Sequence, residues 1–293
     1  MKIAVYGRTF SKEFDKYANE LFNNLKRNGV RLSFFEPFHD FLSKQKKMNP
    51  DTDRFFTKES GIDNDIDFMF SIGGDGTFLE TIPYVVKHKT PLVGINSGRL
   101  GFLANISKEG IAEALDAIFH GQYSFEERAM VQLETPCNLF GEDNYALNEL
   151  TIFKKDTTAM ITIHTYINNV YLNSYWGDGL IIATPTGSTA YSLSVGGPIV
   201  LPDSSNFIIS PIAPHSLTVR PMVIPDKSRI TLKVEGRGGE FLASLDHRTE
   251  VFDSTVHLSV SRADSTVNIV KFNSTNFFST LRNKLMWGVD KRN

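Results

Sequence analysis

Apolar and polar residues follow two rhythms along this chain, and the change between them divides it. Up to about residue 120, short apolar runs alternate with stretches whose apolar residues recur at helical spacing. Lys2 to Gly7 is such a run, and Phe14 to Asn28 after it sets Tyr17, Ala18, Leu21, Phe22 and Leu25 on one helical face. Val30 to Phe35 reads as the next strand, so the chain opens with a β-α-β unit, which predicts parallel strands and a right-handed crossover. The polar stretch 40–65, with Pro50, predicts a helical fragment and a mobile loop. The apolar run Asp67 to Ile72 predicts a strand leading into Gly73-Gly74-Asp75-Gly76-Thr77, then a helix from about Phe78 to His88 and a strand from Pro91 to Asn96. Ser107 is placed to cap a helix carrying Ile111, Ala114, Leu115, Ile118 and Phe119, and Gly121 to stop it.

Beyond about Tyr123 the pattern shortens to strand-like stretches, among them Ala129 to Glu134, Tyr145 to Phe153, Met160 to Ile167, Gly179 to Ala183, Phe207 to Ile212, Ile230 to Val234, Phe241 to Leu245 and His257 to Val260. Asn168-Asn169 reads as a hairpin turn. The expected architecture is an N-terminal α/β, Rossmann-like domain over residues 1–123 carrying the GGDGT loop, followed by a mainly β domain over 124–266. No internal repeat or low-complexity tract interrupts it.

Composition narrows the chemistry. A chain of 293 residues with 41% hydrophobic and 22% charged residues has enough apolar material for two cores. A net charge of −2, with Lys and Arg dispersed, leaves no basic footprint for nucleic acid or an anionic membrane, so a phosphorylated ligand must be held locally. No apolar run reaches the length of a membrane span. The single cysteine, Cys137, has no disulfide partner in the chain, which predicts a reducing compartment, the cytoplasm, with Cys137 as a small buried hydrophobe. The seven histidines lack metal-ligand spacing, so the chain is expected to hold no metal of its own.

Two segments carry candidate chemistry. In Gly73-Gly74-Asp75-Gly76-Thr77, glycines between a strand and a helix allow positive φ and close approach of a ligand, and free N–H groups beyond them suit phosphate. The bland alternative is a tight turn with Asp75 as helix cap. A carboxylate in an anion-binding loop is costly unless it faces a metal ion or a hydroxyl to be oriented, and phosphoryl transfer needs both. Neither a G-x-x-x-x-G-K-[ST] nor a G-x-G-x-x-G fingerprint is present, which disfavours a P-loop ATPase and a standard Rossmann dehydrogenase. The second segment, Trp176 to Val200, follows a strand with Thr184-Pro185-Thr186-Gly187-Ser188-Thr189 and Tyr191. Its donors, acceptors and aromatic face suit a purine and ribose, although a Ser/Thr-rich turn alone is commonly just a turn.

Taken together, GGDGT at 73–77, SGRLGFL at 97–103, Asn148-Glu149, and DGLIIATPTGSTAYSLSVGGPI at 178–199 resemble, in order and spacing, the ATP- or polyphosphate-dependent NAD kinase family. GGDG alone also resembles the nucleotide loop of 6-phosphofructokinases and of diacylglycerol and sphingosine kinases; the long second motif separates them. The resemblance implies transfer of the terminal phosphate of ATP, bound with Mg²⁺, to the adenosine ribose 2'-hydroxyl of NAD, giving NADP. It implies that Gly73, Gly74, Gly76 and Thr77 form the phosphate loop and that Asp75 faces the reactive ribose. Asn148 and Glu149 would hold the adenosine, Thr186, Thr189, Ala190 and Tyr191 the adenine side, and Asp178 and Ser194 the nicotinamide end. Asp246, with His247 beside it, would supply a further acid to the ligand. Trp176 stands where many relatives carry Arg or Gly, a position tied to choosing between NAD and NADH. In that family the sites lie between two domains and are completed by a neighbour in a homotetramer, while the C-terminal segment, here 267–293, returns to the first domain.

A free aspartate is a weak base for an alcohol, so Asp75 is expected to orient the 2'-hydroxyl in line with the γ-phosphate and to take its proton late. Two rivals are a lipid kinase, which calls for an apolar acceptor cleft and a basic membrane-facing patch that the sequence lacks, and a catalytically silent NAD(P)-binding sensor, for which Asp75 would have no use.

Overall fold

The computed structural model describes residues 1–156, 158–272 and 276–286. The chain divides into two compact units, Met1–Glu127 with Val267–Asn293, and Arg128–Thr266. Of the C-terminal segment that the resemblance assigns to the first domain, residues 273–275 and 287–293 lie outside the described residues.

In the first unit the strands β1 (Lys2–Gly7), β2 (Arg31–Phe35), β3 (Arg54–Phe56), β4 (Phe68–Gly73) and β5 (Leu92–Asn96) form a parallel sheet in the order β5-β4-β1-β2-β3. The helices are α1 (Asp15–Arg27), α2 (Glu36–Lys46), the short α3 (Asp75–Glu80) and α4 (Ile82–Val85), and α5 (Ile111–Phe119). The apolar spacing read in α1 and α5 is the buried face of each: Ala18, Leu21 and Leu25, and Ile111, Leu115 and Ile118, share one core with Val5, Phe34, Phe70 and Ile95 of the sheet. The strand order reverses direction between β1 and β4. Open α/β sheets bind ligands in the crevice beyond the carboxyl ends of the strands at such a switch, and Gly73-Gly74 leave the end of β4 there.

Two local expectations need correction. The stretch 40–65 contains the end of α2 and the edge strand β3, whose three residues were too few to show a period. The helix expected over Phe78 to His88 starts earlier, at Asp75, and is broken in two, with Pro83 near the start of α4, where its missing N–H costs nothing.

The second unit takes β6 (Tyr123–Glu134) from Arg128 onward. It continues with β7 (Tyr145–Ala146), β8 (Glu149–Lys154), β9 (Ile161–Ile167), β10 (Val170–Gly177), β11 (Gly179–Ala183), a single helical turn α6 (Tyr191–Ser194), β12 (Asn206–Ile212), β13 (Met222–Pro225), β14 (Ile230–Glu235), β15 (Glu240–Leu245) and β16 (Arg248–Asp253). β17 (Leu258–Phe272) begins in this unit, and its last residues, beside β5, belong to the first. One antiparallel sheet runs β13-β12-β11-β8-β15-β16; in the other, β10, β9, β14 and β17 are successive neighbours. Their inner faces share a core of Leu150, Leu180, Phe207 and Phe241 from one sheet and Ile163, Leu232 and Val260 from the other. At Asn168 and Asn169 φ is 50° and 66°, the left-handed pair that a two-residue hairpin requires. Cys137 departs from expectation. It is exposed, in the turn after β6, with its thiol 3.6 Å from the Thr135 hydroxyl.

Candidate functional site

The sequence-predicted residues fall into two clusters, one in each unit. In the first, Gly74 is the N-cap of α3 and Asp75 its first residue, and no side chain caps the helix, which removes the capping alternative. The Asp75 carboxylate is instead wrapped by the turn after Gly101. Its Oδ2 accepts the Phe102 N–H at 2.9 Å, and its Oδ1 accepts those of Leu103 and Ala104, each at 3.0 Å. A Cβ at Gly101 would lie 1.9 Å from Oδ1, so only glycine lets the turn close on the acid. The Lys284 ammonium, from the C-terminal helix α7 (Phe277–Leu285), lies 3.3 Å from Oδ2.

The glycines act differently from expectation. None of Gly73, Gly74 and Gly76 has positive φ. Gly73 is small because a Cβ would meet the Thr77 hydroxyl at 2.3 Å, whereas a Cβ at Gly74 or Gly76 would meet nothing within 4 Å. At those two positions the fold does not require glycine, and open space above the backbone is what a phosphate approaching closely needs. A cavity of about 390 Å³ elsewhere in this unit, between α5 and α7, includes none of residues 73–77.

In the second unit, Asn148 and Glu149 lead into β8, buried, beside the loop after β11. Thr184 ties the two segments together: its hydroxyl donates to the Leu147 carbonyl at 2.6 Å and its N–H to the Asn148 carbonyl at 2.8 Å. Gly187 packs so closely that a Cβ would lie 2.1 Å from the Asn148 oxygen. Glu149 accepts the Tyr191 N–H, yet its Oε2 is buried without a partner. Burial, and next the nearby Asp246 carboxylate, push its pKa up to about 8.

Asp246, which the resemblance makes a ligand-side acid, is tied to the backbone at the start of β8. It sits at the β15–β16 hairpin tip with φ 53°, partly exposed as a residue, but its carboxylate turns inward and accepts the N–H groups of Leu147 at 2.9 Å, Asn148 at 2.8 Å and Glu149 at 3.2 Å. Burial pushes its pKa upward, opposed by those three bonds. The three bonds of Asp246 fix the backbone under Asn148 and Glu149. His247 beside it is exposed.

The remaining predicted residues spread along the same unit. Thr186 is buried, and its hydroxyl accepts the Arg128 guanidinium at 3.1 Å. Thr189 donates to the Thr186 carbonyl at 3.3 Å, Ala190 precedes α6, and Tyr191 and Ser194 are exposed on it. Asp178, between β10 and β11, pairs with Lys154 at 2.6 Å. Trp176 is half-exposed, its ring centroid 4.3 Å from that of His215.

Comparison with known proteins decides what these clusters belong to. Residues 3–123 match the model of the ATP-NAD kinase N-terminal domain and residues 147–272 that of the ATP-NAD kinase C-terminal domain. An NAD kinase of Cytophaga hutchinsonii is 44% identical over 293 residues, and one of Bacteroides fragilis 45% identical over 292, each alignment spanning 100% of both chains. The chain belongs to the NAD kinase family.

Solved structures agree with the fold of NAD kinases. Yeast NADH kinase complexed with NADH superposes with a TM-score of 0.83 at 19% identity, covering 99% of this chain and 88% of that one. An NAD kinase from Archaeoglobus fulgidus in complex with ATP gives 0.70 at 26% identity, covering 98% and 99%. NAD kinases are phosphotransferases with an alcohol group as acceptor, and that is the activity of this chain.

Three residues of the clusters were outside the sequence reading. Thr184 stood in the quoted motif without a role. Arg128 and Lys284 lie far in sequence from the segments they touch, and no local spacing signals them.

Proposed function

We propose that the chain transfers the γ-phosphate of Mg·ATP to the adenosine ribose 2'-hydroxyl of NAD, with Asp75 as the residue that orients the hydroxyl and receives its proton. The observation that carries this reading is the fixation of the Asp75 carboxylate by three backbone donors at the strand-order switch, beside glycines that the fold itself does not require. A carboxylate held there without capping the helix is preorganised for a reacting group.

Glu149, with a buried oxygen lacking a partner, suits a ribose diol, which brings two O–H donors. Asn148 is held beside it, and Thr186, Thr189, Ala190 and Tyr191 are the candidate adenine side. The metal ion comes with ATP as part of the donor substrate; among the described residues no cluster of three His, Cys, Asp or Glu side chains would hold one independently. The family resemblance is the ground for proposing a homodimer or homotetramer. Among the described residues no helix is long and apolar enough to cross a membrane, and a cytoplasmic location accords with that. Trp176 is the candidate determinant of acceptor redox state, since a ring packs on nicotinamide but carries no charge.

The test is incubation of the pure protein with ATP, Mg²⁺ and NAD, followed by an NADP-specific enzymatic assay. NADP should accumulate; its absence overturns the reading. The same assay with NADH measures acceptor preference, and a ratio unchanged in Trp176→Arg removes the role given to Trp176.

A further inference from the structure

A carboxylate offers about four acceptor positions, two on each oxygen. On Asp75 all are taken: Oδ1 by Leu103 and Ala104, Oδ2 by Phe102 and the Lys284 ammonium. The three backbone donors belong to one turn and cannot leave without undoing it. Lys284 differs, because it reaches from the last turn of α7 on a flexible four-carbon stem and its side chain keeps 34% exposure. It also lies over the face of Phe102, with Nζ 4.7 Å from the ring centroid, a non-directional attraction that tolerates movement. A hydroxyl approaching Asp75 must therefore take the position that Lys284 holds.

We propose that Lys284 is a catalytic cation of the phosphoryl transfer, resting on Asp75 in the free protein and turning to the terminal phosphate of the donor when the acceptor hydroxyl arrives. This rests on the reading of Asp75 given above. Once displaced, the ammonium stands next to the reacting oxygen, and the nearest new anion is the phosphoryl group. A lysine there is a mobile point charge, suited to the oxygens on which transition-state charge develops. The bond from the ribose oxygen to the γ-phosphorus forms as the bond from that phosphorus to the β,γ-bridging oxygen breaks, and ADP leaves with that electron pair. The hydroxyl proton passes to Asp75 and then to solvent, while Lys284 stays protonated throughout. Phe277, with its ring centroid 6.4 Å from that of Phe102, anchors the start of α7 on the same turn.

Three experiments test the assignment. In Lys284→Met, kcat/KM for ATP should fall by roughly 100-fold, as for loss of one preorganised charge, while NAD affinity by calorimetry stays within about twofold. Lys284→Cys in a Cys137→Ser background, treated with 2-bromoethylamine, rebuilds an ammonium and should recover most of the loss; Cys137 is replaced because its thiol is exposed. Unchanged or raised turnover in Lys284→Met, the latter marking Lys284 as a mere cover, overturns the proposal, as does a loss that aminoethylation leaves unrepaired. In the wild type, lysine labelling by trinitrobenzenesulfonate, read by mass spectrometry, should show Lys284 protected by Mg²⁺ with the β,γ-imido analogue of ATP plus NAD. Equal or greater labelling would also overturn the proposal, and this arm holds even where a variant fails to fold. A wild-type protein that makes no NADP would instead remove the reading of Asp75, which keeps the two failures distinct.

Discussion

The Asp75 carboxylate holds the 101–104 turn through three N–H groups, and the function proposed for it adds a second job, facing the acceptor. Asp75→Asn separates them poorly, because an amide has one acceptor oxygen and its NH₂ would point at a backbone donor. The expected result is a loss of turnover of about 100-fold or more together with a stability loss of roughly 1.5–3 kcal/mol from a broken charged hydrogen bond. NADP formation and thermal unfolding on the same sample check both. Full turnover in a folded Asp75→Asn protein would sink the catalytic role. Glu149 makes a pH prediction. Its folded pKa, about 8, lies above its unfolded value, so the native state holds a proton that the unfolded chain releases. Stability should then fall as pH rises from about 4.5 to 8, with a ceiling near 1.4 kcal/mol per pH unit. Binding of NAD to the ionised form should release a proton below pH 8. Glu149→Gln should flatten both trends, and calorimetry in buffers of different ionisation enthalpy measures the proton; no release in the wild type counts against Glu149 as the diol acceptor.

At the level of elements, the glycines around Asp75 divide by what surrounds them. Gly101→Ala places a methyl on the carboxylate itself and should cost activity and roughly 1–3 kcal/mol of stability, as overpacking does. Gly74→Ala meets no atom within 4 Å, and φ of −98° suits alanine. It should fold with wild-type stability yet bind ATP more weakly, and equal ATP affinity would show that nothing approaches that backbone. The sequence announced the strand, the glycines and the acid here, since each is a local pattern. It did not announce that the helix starts at Asp75, or that residues 102–104 close over it, because a contact across 27 positions leaves no local period. The backbone partners of Asp246 were illegible for the same reason. Its carboxylate reaches N–H groups 97 to 99 residues away in the chain. The apolar faces of α1, α5 and β14 were legible from spacing alone, while the three-residue β3 was too short to show one.

On the scale of the whole chain, the family is carried by motifs from both units, and the long motif at 178–199 in the second unit is the one that separates NAD kinases from other GGDG kinases. The first unit is built from two stretches, Met1–Glu127 and Val267–Asn293, with the second unit, Arg128–Thr266, inserted between them. A ribosome delivers these pieces in order. At about 5–20 residues per second, the strand segment that completes the sheet beside β5 and the lysine that meets Asp75 emerge on the order of ten seconds after the rest of their unit. The inserted unit is continuous and should reach its final form on the nascent chain first, leaving the discontinuous one exposed to proteases and chaperones for that interval. Limited proteolysis of stalled chains ending near residue 266 should cut within 1–127 and spare 128–266, and equal protection of both would show that the early stretch is self-sufficient.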